Sequence, residues 1–212
     1  IRGYDLIELA RKKDYVDVAA LLLDGNLPSS NEREVLMKQL KAEYDLPAPV
    51  LSILKLLPRE MHEMDALRTG ISALAGFDSD VEARTLAANR RKAIRLLAKI
   101  PAIIASSYYV KRRQETVVPR RDLPYSANFL YMITGHEPSV SEIAAFDQSL
   151  VVYSEHEMPN STFAARVIAS TQSDLYGALT GAVASLKGTL HGGANEAVMK
   201  MLLQAETKEK IE

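Results

Sequence analysis

The chain has 212 residues, 47% of them apolar and 25% charged, with a formal net charge of −1. This is the composition of a globular protein, and the near-neutral charge excludes a broad electrostatic footprint for nucleic acid or an anionic membrane. There is no cysteine, which excludes disulfides and thiolate metal sites and fits a reducing compartment, so a cytoplasmic location is expected.

Apolar residues recur at helical spacing almost from end to end. Over residues 5–24 the set Leu6, Leu9, Val16, Ala19, Ala20 and Leu23 fits one face, Asp5 with Glu8 forms a capping-box pattern, and Gly25 supplies a stop. Asn31 with Glu34 predicts a second helix to about Tyr44, and Pro47, Pro49 and Pro58 bracket a short third. Residues 64–76 and 85–99 predict a fourth and a fifth. Pro101 then predicts a break or kink before a further helix ending near Arg113. The apolar run 100–110 is far short of the roughly 20 residues that span a bilayer, so no membrane partner is expected. Further helices are predicted over 126–135, from the Ser139–Glu142 cap to Tyr153, and over 161–171, 174–187 and 192–206. The Arg90-Arg91-Lys92 run reads as a solvated helix face. No stretch sustains strand alternation and no repeat is present, so the expected fold class is all-α.

Two segments, 69–76 (TGISALAG) and 177–185 (GALTGAVAS), are rich in small residues that let helix backbones approach closely. They suit either internal packing or a subunit interface.

Candidate chemistry concentrates between Tyr153 and Glu196. His156 sits between Glu155 and Glu157, ahead of Pro159. The string HEMPN at 156–160 departs from the HExxH zinc motif, because its second ligand would be the amide of Asn160 and Pro159 interrupts the turn. No metal is expected. Neighbouring carboxylates favour an imidazolium, which suits an anionic keto-acid, but also suit a histidine held structurally at a helix start. His191 precedes Gly192-Gly193 where a helix is expected to begin. There a helix N-terminus disfavours imidazolium, and a neutral ring can donate one hydrogen bond to a developing enolate oxygen. The alternative is a helix-start histidine satisfied by backbone. His62 and His136 read as loop residues.

This segment, together with RGYDLIELA at 2–10, LLLDGNLP at 21–28 and HEMDALRTGISALAG at 62–76, resembles the citrate synthase family. In the last motif Glu63 stands where a proline is usual. The resemblance implies a multi-helical large domain over residues 1–190, with 191–212 the hinge and first helix of a small domain. It implies that His191 stabilises the enol of an acyl-CoA thioester and that His156 binds oxaloacetate. Asn160 falls on the family asparagine four residues after that histidine, and Asn195 on the asparagine of HGxAN. Coenzyme A then enters as part of a substrate, with no bound cofactor, and the partner is a second copy in a homodimer, with the small-residue segments at its interface.

Tyr153 and Glu155 stand where citrate synthases commonly carry histidine and aspartate, and they look like the 2-methylcitrate synthase branch, which prefers propionyl-CoA. A citrate synthase using acetyl-CoA is the alternative, and a non-catalytic helical dimerisation module a third. In the family the catalytic carboxylate, a second oxaloacetate histidine and the substrate arginines come after the point corresponding to Glu212. These residues alone are therefore expected not to turn over. With Ile1 at the start and TKEKIE at the end, truncation at both ends is expected.

Overall fold

The computed structural model describes residues 1–155 and 157–205, apart from the side chains of Asn195 and Ala205. Among these residues the fold is all-helical, with no strand. The single helix expected over 5–24 is two, α1 (Leu6–Lys12) and α2 (Tyr15–Asp24). Lys13 is extended, and the Asp14 side chain accepts from Asp17 N–H at 3.0 Å, so a second N-cap restarts the chain inside one apolar pattern. α3 (Ser30–Ala42) begins before the expected Asn31, because Ser29 and Glu32 form a reciprocal capping box. α4 (Ala48–Leu56) carries its proline in the first turn, where no backbone donor is needed. α5 (Glu63–Leu74) is capped by His62 and runs into a 3-10 turn, Ala75–Phe77.

The expected break at Pro101 does not occur. α6 (Leu86–Lys111) is one helix of 26 residues with Pro101 inside it. A proline there removes the N–H that would donate to the carbonyl four residues earlier. That carbonyl belongs to Leu97, and the buried Tyr125 hydroxyl donates to it at 2.8 Å. The orphaned acceptor is satisfied from another helix. Being continuous, α6 is long and apolar enough to cross a membrane by length and composition alone, but its apolar side chains serve as the core of the fold. Ile94 and Ala98 pack with Val16, Leu36, Leu40 and Tyr125, and Leu96 and Ile103 with Val50, Leu54, Ile71 and Tyr176.

The basic run at 90–92 is not simply solvated. Arg90 forks onto Asp24 at 2.6 and 2.8 Å, and Arg91 onto Asp80 at 2.8 and 2.7 Å. Lys92 is 2% exposed and donates to the carbonyls of Val81 and Ala83. Arg90 thus ties α6 to the end of α2, whereas Arg91, Lys92 and, through buried Asp78, Arg95 pin the loop before α6 onto α6 itself.

The remaining helices are α7 (Tyr125–Thr134), α8 (Val140–Tyr153), α9 (Asn160–Ser170), α10 (Leu175–Leu186) and α11 (Gly193–Ala205). The Ser139–Glu142 capping box opens α8 as expected. α10 packs on both α5 and α9. The small-residue segments are used inside the chain: a Cβ on Gly70 would come within 2.7 Å of Ile103, and one on Gly181 would run into Ile168. At these two glycines close packing within the chain accounts for the pattern.

Candidate active site

Three elements converge where α10 ends. After Leu186 the chain makes a tight turn held by its own backbone: Gly188 O accepts from His191 N–H at 2.9 Å, and Leu186 O accepts from Gly192 N–H at 2.9 Å. A side chain on Gly192 would collide with the Leu186 carbonyl oxygen, so this glycine is required by close approach. α11 starts one residue later. His191 therefore stands at a helix start as its sequence context predicts, but its ring is held by α9.

His191 Nε2 lies 3.4 Å from the Ser161 N–H and 3.0 Å from the Ser161 hydroxyl oxygen. Ser161 is the second residue of α9, where N–H groups have no partner within the helix. A backbone N–H can only donate, so Nε2 accepts. The proton of the neutral ring is then on Nδ1, which is left to donate elsewhere. Sequence reading missed Ser161; its only signal was its place directly after Asn160 at a helix start. Asn160 itself opens α9, and its Oδ1 accepts from the Ser185 hydroxyl on α10 at 2.9 Å. That bond leaves the amide N–H groups of Asn160 as donors, and ties the start of α9 to the end of α10.

His156 lies outside the described residues. Around it, Glu155 accepts from the Glu157 N–H and Glu157 has φ +61°, a left-handed conformation that is strained for glutamate. Pro159 is the N-cap of α9, so residues 157–159 of HEMPN precede the helix. The Asn195 side chain is also outside the described residues; its backbone lies in the first turn of α11. Tyr153 is 63% exposed at the end of α8.

His62, expected as a loop residue, does more. Its Nδ1 accepts from Met64 N–H at 3.1 Å as the cap of α5, and its Nε2 lies 3.6 Å from Glu196 Oε1 in the first turn of α11. One turn along α5, Asp65 takes Lys187 Nζ at 2.6 Å. That ammonium, the main cause, holds the Asp65 carboxyl below the usual carboxylate range. Lys111 does the same to Glu63, at 2.6 Å.

The whole chain, residues 1–212, matches the family model described as citrate synthase, C-terminal domain. It is 58% identical over 212 residues to the citrate/2-methylcitrate synthase of Bacillus subtilis, covering all of this chain and 57% of that protein. It is equally 58% identical over 209 residues to the citrate synthase of Heyndrickxia coagulans, covering 99% of this chain and 56% of that protein. It superposes with a TM-score of 0.89 and 29% identity on the citrate synthase of Thermoplasma acidophilum solved as a ternary complex with carboxymethyl coenzyme A and oxaloacetate, covering 97% of this chain and 54% of that one. The chain thus spans a little over half the length of the relatives it matches, with the motifs around His156 and His191 inside the matched part, and it belongs to the citrate synthase family.

Proposed function

We propose that this chain forms part of an enzyme that condenses an acyl-CoA thioester with oxaloacetate, and that His191 is the group that donates to the thioester oxygen. The observation that carries this reading is the bonding of His191. Ser161 occupies Nε2 with an N–H that can only donate, so Nδ1–H is the remaining donor. When a base removes the α-proton of the thioester, negative charge develops on the carbonyl oxygen. A pre-positioned neutral imidazole N–H stabilises that charge without reorganising. A weak acid suits this role, because it shares its proton with the enolate without losing it. His156 is proposed to bind oxaloacetate, with Asn160 and Asn195 as further substrate contacts. The free amide N–H groups of Asn160 suit a carboxylate or keto oxygen.

Residues 1–190 are read as the large domain and 191–212 as the hinge and first helix of a small domain. The base is proposed to come from outside residues 1–212. Glu196, the acid nearest His191 in sequence, is turned to His62. A homodimer is proposed as the assembly. Between α9 and α10 lies an open, mainly apolar groove lined by Ala165, Ala178, Leu179 and Ala182, which suits a helical partner face. A single-chain mass for the natural full-length protein in light scattering would refute the dimer.

The finer proposal is 2-methylcitrate synthase acting on propionyl-CoA, from Tyr153 and Glu155. The second reading is citrate synthase acting on acetyl-CoA, favoured by the equal identity to the Heyndrickxia coagulans enzyme. Coenzyme A release by the natural full-length protein, with oxaloacetate and each thioester in turn, separates them. A higher kcat/KM with propionyl-CoA supports the first reading, and a higher value with acetyl-CoA the second. Release of coenzyme A by residues 1–212 alone would refute an external base.

A further inference from the structure

Two contacts grip the turn that carries His191, and both are made by one turn of α5. Lys187, just before the turn, is held by Asp65; Glu196, just after it, faces His62. His62 and Asp65 are three residues apart and so share one face of the start of α5. The two grips differ in strength. Lys187 and Asp65 are 2.6 Å apart with the carboxylate largely buried, whereas His62 and Glu196 are 3.6 Å apart and both half-exposed.

We propose that the first turn of α5 is the fixed support of the His191 turn, and that His62 is a positioning residue: it holds the start of α11, and so the imidazole of His191, through its contact with Glu196. This rests on the condensing-enzyme reading, in which α11 moves with a small domain. His62 is itself held in place. Its Nδ1 caps α5, so in the neutral ring Nε2–H points outward to Glu196.

The test uses the natural full-length protein and two variants. His62→Asn keeps a good helix cap but does not reach Glu196; Glu196→Gln leaves the cap untouched. Amide exchange is read at residues 193–197, and kcat and KM for coenzyme A release are measured. Both variants should speed exchange in the first turn of α11 about two- to five-fold, the size of an exposed ion pair. They should lower kcat by a similar factor and leave the oxaloacetate KM unchanged. Unchanged exchange in both variants overturns the contact. Faster exchange with unchanged kcat overturns the positioning role. If the wild-type protein releases no coenzyme A, the condensing reading has failed, and the exchange data alone decide whether the contact holds the turn.

Discussion

α6 and α11 are both rich in apolar residues, yet their own chain treats them differently. On α6, Ile94, Leu96, Ala98, Ala102, Ile103 and Ala105 are all buried. On α11, Val198, Met199, Met201, Leu202 and Leu203 are between 38% and 76% exposed. Full burial of one such side chain is worth about 1.5–3 kcal/mol, so five left in water mark a surface built to be covered. The change from one behaviour to the other falls at the turn that carries His191. On one side is α6, whose apolar face is buried within the chain and whose proline-orphaned carbonyl is satisfied by Tyr125. On the other is the described part of α11, with its apolar side chains exposed.

The contrast breaks most severely at Gly192. In the natural full-length protein, Gly192→Ala drives a Cβ into the Leu186 carbonyl oxygen, so the turn must rebuild and His191 must shift. Misplacement of about 1 Å can cost about 100-fold in rate. Coenzyme A release should fall by about that factor while the circular-dichroism melt of the helical body changes little. Activity within a few-fold of wild type would mean the turn is not what positions His191.

On the buried side, the sharpest test is Tyr125→Phe. It leaves the Leu97 carbonyl without a partner beside Pro101, and a buried unsatisfied acceptor costs about 1–3 kcal/mol. With Pro101→Ala the helix regains its own N–H for that carbonyl, so the same tyrosine substitution should cost less in that background. Urea unfolding of the four proteins closes the cycle. Equal costs in both backgrounds would sever the link between Tyr125 and Pro101.

The sequence made the helices legible because apolar spacing is a local signal, but not where tertiary partners override local rules. Pro101 reads as a break, and nothing near it in sequence announces a tyrosine 24 residues later that repairs the helix. Asp14 is a second cap hidden within one continuous apolar face. Arg90 and Lys92 look solvated because their partners, Asp24 and the Val81 and Ala83 carbonyls, come from other elements. The candidate site follows the same division. His191, Gly192 and Asn160 were visible as residue types in a motif. Ser161 and the His62–Glu196 contact were not, since serine at a helix start is common and residues 62 and 196 meet only through the fold.

Smaller effects refine the border itself. Ser161→Ala removes the hydroxyl from His191 Nε2 and leaves the longer N–H contact. A net hydrogen bond of about 1 kcal/mol corresponds to about a five-fold fall in kcat. The thioester KM should hold, because the ring is reoriented rather than removed. A raised KM with unchanged kcat would assign Ser161 to substrate binding instead.

The smallest expected effect concerns two aspartates of the body that titrate in opposite senses. Asp80 is held below the usual carboxylate range, first by Arg91 and then by Arg95. Its charged form is favoured by folding, so its contribution is complete above the unfolded value of about 3.9 and is lost as pH falls below it. Asp147 is raised, first by burial, although Ser126 and the Tyr15 N–H donate to it. Its contribution is complete in acid, below the unfolded value, and is lost as pH rises through the folded one. Urea midpoints at about pH 3, 5 and 7 should therefore show the deficit of Asp80→Asn shrinking toward acid, because protonated aspartate and asparagine are alike in charge. The deficit of Asp147→Asn should instead shrink toward neutral pH. Parallel profiles for the two variants would mean that the Arg91–Asp80–Arg95 cluster does not secure the loop onto α6.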